Sequence, residues 1–253
     1  MLAITRAVPA SLVDCELTHL ARVPIDIARA ASQHEGYEAA LRSLGCRIER
    51  LAKTPDLPDS VFVEDTAVVV DEIAVLTRPG AKSRRAEVPS VAQALAPYRD
   101  LAFIIPPGTL DGGDVLALGR RFYVGLSQRT NIEGVEQLRA VLSPFGYSVE
   151  ALVVEGCLHL KSAVTALDEE TVLLNPEWID GSALAARRRI AIAPGEPFAA
   201  NALAIGGTAL LNATAPLTAA IVAAAGFTVL AVDQSELAKA ESGLTCCSLL
   251  LND

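Results

Sequence analysis

The C-terminal segment Gly-Leu-Thr-Cys-Cys-Ser places Cys246 directly ahead of a short apolar run. His159 and Asp111 occupy the same kind of position earlier in the chain, each shortly before apolar residues. We predict that all three side chains lie at the mouths of β-strands. A thiol, an imidazole and a carboxylate together are the parts of an activated cysteine nucleophile.

Composition narrows the class of protein that could use these groups. The chain has 253 residues, of which 51% are apolar, so it can form one large packed domain or two small ones. Its formal net charge of −9 argues against sequence-independent binding to nucleic acid or to an anionic membrane, because both need a basic surface. A small cationic substrate is more compatible with this charge.

The apolar stretches are short and broken by Gly, Pro or charge, so none is a candidate transmembrane helix. The first residues also lack the basic, apolar and small-residue regions of a secretory signal. Five cysteines, an odd number with no CxxC spacing, favour a reduced protein over a disulfide scaffold. These features predict a cytoplasmic protein.

A repeated pattern of strand, turn, strand and helix organises the chain. Pairs of apolar runs around a polar or Gly turn predict four hairpins, within residues 66–76, 115–124, 163–174 and 202–211. Helical spacing and caps predict helices over 25–44, 83–98, 130–142, 182–188 and 214–225. A further strand is predicted after each helix, at 46–49, 101–104, 147–150, 190–192 and 227–230.

A fifth hairpin is divided between the two ends of the chain, at residues 248–251 and 2–4. Pairing these segments would close a ring and remove two exposed strand edges. We therefore predict an α/β fold with five ββαβ units arranged as a closed five-bladed propeller, in one domain spanning 1–253. A doubly wound sheet fits less well, because hairpins rather than single strands alternate with the helices.

In this ring, the residues just before each hairpin should meet at one end, near the axis. Every one of those positions is polar or ionisable: Glu64, Asp65, Asp111, Asp114, His159, Asn201 and Cys246. Polar residues are common at strand ends, but a set that supplies nucleophile, base and acids together indicates a catalytic site.

Six motifs, in order and over essentially the whole chain, resemble those of the dimethylarginine dimethylaminohydrolase family. They are 59–65 (DSVFVED), 77–85 (TRPGAKSRR), 110–114 (LDGGD), 125–131 (GLSQRTN), 158–162 (LHLKS) and 244–248 (LTCCS). The wider guanidine-modifying superfamily has a five-bladed α/β propeller, the pentein fold, which agrees with the five units counted above.

The resemblance implies a role for each matching residue. Cys246 is implied as the nucleophile, His159 as the acid/base and Asp111 as the catalytic carboxylate, where some relatives carry Glu. Leu17 is implied to lie on a mobile lid between Pro9 and Pro24. The implied substrate-binding residues are Leu17, Asp59, Glu64, Asp65, Arg84, Arg129 and, through its backbone carbonyl, Ala240.

The implied reaction is hydrolysis of free Nω-methylated arginine, as asymmetric dimethylarginine or monomethylarginine. It would pass through an S-alkylthiouronium on Cys246 and release citrulline with dimethylamine or methylamine. The resemblance implies a small-molecule substrate and neither a cofactor nor a metal. Two alternatives stay open: an arginine deiminase-like or other guanidine hydrolase on the same fold, and a non-catalytic pentein binding protein, which should have lost the Cys, His and carboxylate set.

Cys247 competes with its neighbour for the role of nucleophile. If both residues lie on a strand, alternation turns their side chains to opposite faces, so only one can reach the site. The resemblance selects Cys246.

Overall fold

The short apolar runs form fifteen strands in the computed structural model, which describes residues 1–252. The strands are β1 (Leu2–Arg6), β2 (Arg47–Leu51), β3 (Ala67–Val69), β4 (Ile73–Leu76), β5 (Asp100–Phe103), β6 (Val115–Leu118), β7 (Arg121–Leu126), β8 (Ser148–Val153), β9 (Val164–Ala166), β10 (Thr171–Leu174), β11 (Arg188–Ala191), β12 (Leu203–Ile205), β13 (Thr208–Asn212), β14 (Thr228–Val232) and β15 (Leu249–Leu251).

These strands assemble into five three-stranded sheets, ordered β3-β4-β5, β6-β7-β8, β9-β10-β11, β12-β13-β14 and β15-β1-β2. In each sheet the first pair is antiparallel and the second is parallel, as a hairpin followed by a crossover requires. The predicted five ββαβ units and the pentein fold are thereby confirmed. Strand β15 pairs antiparallel with β1 in the register Leu2↔Leu251, which joins the last segment of the chain to the first.

Five helices are present within residues 1–252: α1 (Ile27–Ser43), α2 (Val88–Leu95), α3 (Ile132–Leu142), α4 (Leu160–Ala163) and α5 (Pro216–Ala224). Four of them, α1, α2, α3 and α5, form the crossovers of their blades. The side chain of Asn131 accepts the Gly134 N–H at 2.9 Å and so caps α3 as predicted. Pro89 lies in the first turn of α2 and does not interrupt it, because proline is tolerated there.

The predicted helix over 182–188 is wrong: that crossover contains only a short 3₁₀ turn, Gly181–Ala183. Side chains satisfy the backbone there in place of a helix. The Ala185 N–H donates to the Tyr123 hydroxyl at 2.9 Å, and the Arg189 guanidinium donates to the Gly181 carbonyl at 2.5 Å. With these groups already paired, the segment has little to gain from helical hydrogen bonds.

The expectation that the chemically active residues lie at strand mouths needs a correction. A single helical turn precedes the inner strand in four of the five blades: Val63–Thr66, Gly112–Asp114, Leu160–Ala163 and Thr245–Cys247. Cys246 and Cys247 therefore lie in a 3₁₀ turn, and β15 begins only at Leu249. Strand alternation cannot distinguish the two cysteines, so their surroundings must.

Apolar side chains between neighbouring blades form the core. Leu251 is 2% exposed and packs in one cluster with Leu2, Ile4 and Val63. The closing strand thus contributes to the packing as well as to the hydrogen bonding of its blade. None of the helices within residues 1–252 combines the length and the apolar character needed to cross a membrane.

We expect Leu251→Ala to lower the free energy of unfolding by about 2–5 kcal/mol, because it removes a buried side chain and leaves a cavity. The control is Leu217→Ala on α5, where Leu217 is 59% exposed, and it should change that free energy by no more than about 0.5 kcal/mol. Urea unfolding followed by circular dichroism measures both. Equal effects of the two substitutions would contradict a packing role for the closing strand.

Candidate active site

The polar residues that precede the inner strands converge, and hydrogen bonds connect their turns. Thr245, beside Cys246, donates its hydroxyl to a Glu64 carboxylate oxygen at 2.7 Å. The Asn201 side chain accepts the Thr245 N–H at 3.0 Å and donates to the Lys161 carbonyl at 3.1 Å. The cysteine turn is thus tied to the turn before β3 and to the helix that follows His159.

His159 lies between two carboxylates. Its Nε2 is 3.1 Å from Asp111 Oδ2, and its Nδ1 is 3.8 Å from Asp65 Oδ1. All three residues are at most 5% exposed. Burial lowers the pKa of the imidazole, but the charges of Asp65, Asp114 and Asp111 outweigh it and raise that pKa to about 9. At neutral pH the ring is therefore an imidazolium, ready to give up a proton.

The two glycines of the Asp-Gly-Gly-Asp motif make this arrangement possible. A Cβ at Gly112 would lie 2.0 Å from the Glu64 carbonyl oxygen. A Cβ at Gly113 would lie 2.6 Å from His159 Nδ1 and 2.7 Å from Asp65 Oδ1. Only glycine lets the loop approach this closely, and the Gly113 N–H then donates to Asp65 Oδ1 at 2.9 Å.

Asp114 orients several site residues from behind. It is fully buried, and its carboxylate accepts the Leu160 N–H at 3.0 Å and the Ser127 hydroxyl at 2.7 Å. The Ser127 oxygen in turn accepts the Arg129 N–H at 3.0 Å. Burial raises the pKa of Asp114 to about 6 although the His159 charge opposes it. One carboxylate thus fixes the backbone beside His159 and beside Arg129.

The two cysteines differ in their surroundings. Cys246 is partly exposed, and its Sγ accepts the Gly243 N–H at 3.4 Å. Cys247 is fully buried, with the Gln234 amide 3.7 Å from its Sγ. Burial raises the pKa of both thiols, to about 12 for Cys247; the charges of Glu64 and Asp65 raise that of Cys246 further. Neither thiol is ionised at neutral pH without an added positive charge.

Arg84 lies behind Asp65 and is 3% exposed. Its guanidinium pairs with the Asp65 and Glu87 carboxylates and donates to the Asp59 and Phe62 carbonyls, at 3.2 and 2.9 Å. Burial raises the pKa of Asp65, but the charges of His159 and Arg84 outweigh it and lower that pKa to about 2. In this arrangement Arg84 holds residues 59–65 in place.

Arg129 contacts the segment between Pro9 and Pro24, the implied lid. The Arg129 guanidinium is 3.6 Å from Asp111 Oδ2 and donates to the Thr18 hydroxyl at 3.4 Å. These long contacts leave the guanidinium able to take a better acceptor. Leu17, beside Thr18, is half-buried and packs against a core that includes Ala240.

Glu64 faces a different direction from Asp65. Its carboxylate accepts from Lys161 Nζ at 2.6 Å, and burial raises its pKa while Lys161 lowers it. The pair borders a cavity of about 280 Å³ lined by the inner strands of all five blades. The Lys161 side chain is 19% exposed.

Single ligand atoms of Asp65, Asp111 and His159 lie within 4.8 Å of one another, a spacing that a metal ion could use. A histidine must be neutral to bind a metal. Since the pKa of His159 is about 9, a metal ion would have to displace the ring proton at neutral pH. The expectation that no metal takes part stays a prediction.

Sequence motifs do not identify several residues that contact and support the site. Glu87 is one, although its spacing of three residues from Arg84 signals a helical ion pair. Glu241, which contacts the lid, is another, and only tertiary structure brings it there. Asp114 had been placed at the site by sequence but without a role.

Comparison with known proteins identifies the family. The arginine deiminase family model matches residues 48–201. An N(G),N(G)-dimethylarginine dimethylaminohydrolase of Streptomyces coelicolor is 41% identical over 253 residues, covering 99% of this chain and 97% of the relative. One of Pseudomonas aeruginosa is 34% identical, with 97% of each chain covered. The chain belongs to the dimethylarginine dimethylaminohydrolase family.

Solved structures agree with this assignment. A cysteine-to-serine variant of the Pseudomonas aeruginosa dimethylarginine dimethylaminohydrolase, complexed with citrulline, matches with a TM-score of 0.90 over 98% of each chain, at 34% identity. The N-terminal domain of a cyanobacterial arginine dihydrolase matches with a TM-score of 0.88 at 19% identity, which shows the shared fold alone.

We expect the ion pairs of His159 to stabilise the fold in a pH-dependent way. The folded pKa of about 9 lies above the ordinary value of 6.5, so this stabilisation is complete below pH 6.5 and is lost as the pH rises through 9. The full shift corresponds to about 3 kcal/mol. The free energies of unfolding of the parent and of His159→Gln should therefore converge between pH 6.5 and 9. A constant difference across that range would contradict the raised pKa.

Proposed function

We propose that this protein hydrolyses free Nω-methylated arginine to citrulline and dimethylamine or methylamine. The proposal rests on the buried His159 between the carboxylates of Asp65 and Asp111. The partly exposed Cys246 is close enough for the charge of Asp65 to raise its pKa. Nearly desolvated carboxylates attract a planar cation, and the imidazolium between them is an acid. The intact set argues against a non-catalytic binding protein of the same fold.

The guanidinium of the substrate would bind the carboxylates of Asp65 and Asp111. Hydrogen bonds from the guanidinium N–H groups to these carboxylates are charge-assisted and fixed in geometry. They orient the central carbon and keep the group cationic. Arg84 contributes indirectly, because it fixes Asp65. Arg129 is the better placed of the two arginines to bind the α-carboxylate, since its present contacts are long.

Binding of the cation would activate the nucleophile. The Cys246 thiol has a pKa well above its ordinary value, in part because negative charges surround it. A guanidinium placed among those charges offsets them and favours the thiolate. The nucleophile therefore becomes reactive when the substrate is present, which protects the thiol from other electrophiles.

Cys246 releases its thiol proton to solvent, and the thiolate attacks the guanidinium carbon to give a tetrahedral adduct. His159 then transfers its proton to the departing amine, which is too basic to leave as an anion. The neutral imidazole next removes a proton from water, which attacks the S-alkylthiouronium carbon. Breakdown of that adduct returns the thiol and releases citrulline. Such general acid–base assistance typically contributes about 10²–10⁴-fold.

The lid would complete the binding of a free amino acid. Leu17 on the lid, the Asp59 segment and the Ala240 carbonyl would contribute to this binding. We infer a single catalytic unit of residues 1–253 that works without cofactor or metal. The five cysteines are unpaired, which supports a reducing compartment such as the cytoplasm.

Arginine deiminase-like activity is the second candidate, favoured by the arginine deiminase family model. Incubation with asymmetric dimethylarginine, monomethylarginine and arginine, scoring citrulline from each, separates the two. Faster turnover of the methylated substrates supports the proposal. Turnover of arginine alone would replace it with deimination.

We expect Cys246→Ser to abolish turnover, because a hydroxyl cannot be ionised there, and Cys247→Ser to retain most of it. The two are matched controls, since the residues are adjacent and each change is nearly isosteric. Citrulline release and mass spectrometry of a trapped adduct measure the outcome. An inactive Cys247→Ser protein with normal circular dichroism, beside an active Cys246→Ser protein, would reverse the assignment.

Asp111→Asn should keep the fold and lower kcat/KM by at least about 10- to 150-fold, the worth of one buried charge-assisted contact. Asp111 also raises the pKa of His159, so the limb of the pH profile that reports loss of the His159 proton should move to lower pH. Asp56→Asn, at an exposed position, is the control. Unchanged kcat/KM or an unmoved profile would contradict this role.

A further inference from the structure

The segment from Pro9 to Pro24, here called the lid, has little regular structure of its own. It contains one 3₁₀ turn, Ala10–Asp14, and then neither helix nor strand until α1. It nevertheless has a defined position, because Leu17 packs against the core that includes Ala240 and Leu244. Something other than secondary structure must hold its polar backbone.

Two carboxylates hold that backbone. Asp59 accepts the Glu16 N–H at 3.2 Å. Glu241 accepts three successive amides, from Thr18 at 3.0 Å, from His19 at 2.5 Å and from Leu20. These amides are more than 220 residues away in the chain. A single carboxylate therefore binds three backbone amides in the middle of the lid.

The backbone at Glu241 is unusual. With φ at 56° it is the one non-glycine residue with positive φ within residues 1–252. This left-handed conformation costs free energy for a residue with a side chain, and such outliers persist where the surroundings require them. The same turn carries the Ala240 carbonyl on one side and, on the other, the Gly243 N–H that donates to Cys246 Sγ. The conformation thus joins the lid contact to the cysteine turn.

We propose that Glu241 is a positioning residue that holds the lid closed over the bound substrate. The proposal deepens the function proposed above and rests on it for the identity of the substrate. The inner site is closed in this structure: Asp65, Asp111, His159 and Arg129 are at most 7% exposed. Substrate access therefore requires the lid to move. The carboxylate of Glu241 determines how strongly the closed position of the lid is favoured.

Other contacts hold the ends of the lid, whereas Glu241 accepts the backbone amides of residues 18–20. Arg22 donates to the Val13 and Cys15 carbonyls within the lid itself. Lys239 donates to the Pro24 carbonyl at 3.0 Å. Loss of the Glu241 carboxylate should therefore free residues 18–20 without unfolding the ring.

The chain provides its own reporter of lid opening. Arg22 is the only Lys or Arg between Pro9 and Pro24, and it is exposed, so trypsin cleavage after it reports how often the lid opens. The variants are Glu241→Gln, which keeps the size but not the charge, and Glu241→Gly, which suits positive φ but has no side chain. Glu169→Gln, at an exposed position, is the charge-matched control.

We expect both Glu241 variants to be cut after Arg22 about tenfold faster than the parent, because a charge-assisted acceptor of several amides is lost. With dimethylarginine, KM should rise about tenfold and kcat should change less than about threefold, since lid contacts act in ground and transition states alike. Glu241→Asp should recover part of the protection. Glu169→Gln should match the parent in both assays.

Parental cleavage rates and parental KM in both Glu241 variants would overturn the proposal, as would a Glu241→Gly protein that behaves like the parent. The cleavage assay needs no turnover. Failure of the parent to release citrulline from methylated arginines would therefore count against the proposed function, while faster cleavage of the variants would still support the role of Glu241 in holding the lid.

Discussion

The structure depends on one constraint: charged groups are buried near the axis and must compensate one another. Arg84 neutralises Asp65, His159 lies between Asp65 and Asp111, and Arg129 lies beside Asp111. An unpaired charge in such a position would destabilise the fold, so each of these charged side chains requires an oppositely charged neighbour. Positively and negatively charged side chains alternate in this series, which explains why the imidazole is an imidazolium and why Asp65 is ionised.

The same electrostatics act on Cys246, the proposed nucleophile. Burial raises the pKa of the Cys246 thiol, and the charges of Glu64 and Asp65 raise it further, because a thiolate would add another negative charge. Asp65 also stabilises the His159 cation. In the proposed mechanism, the charge of a cationic substrate offsets those negative charges and favours the thiolate. Under that mechanism, binding of the substrate and activation of the thiol are one event. A neutral compound of the same shape would bind in part and would not activate the thiol.

Sequence predicted the ring well because its signals are local. Alternating apolar runs with polar or glycine turns specify hairpins whatever surrounds them, and all four complete hairpins are present. The helix at 182–188 failed because tertiary partners, such as the Tyr123 hydroxyl, satisfy its backbone. In one of the helical turns before the inner strands, Gly112–Asp114, the glycines allow close contacts that composition does not reveal.

The polar contacts around the site were harder to predict for a related reason. The sequence places Arg84 near a substrate, but its partners Asp65, Glu87 and two carbonyls are set by the fold. A motif identifies which side chains meet, whereas the direction each one faces depends on competing acceptors. Glu64 and Asp65, adjacent in sequence, illustrate this: one pairs with Lys161 beside the axial cavity and the other with His159 in the site. Adjacent carboxylates can thus belong to different parts of the molecule, and only the packing of the five turns around one axis decides which of them is available for chemistry.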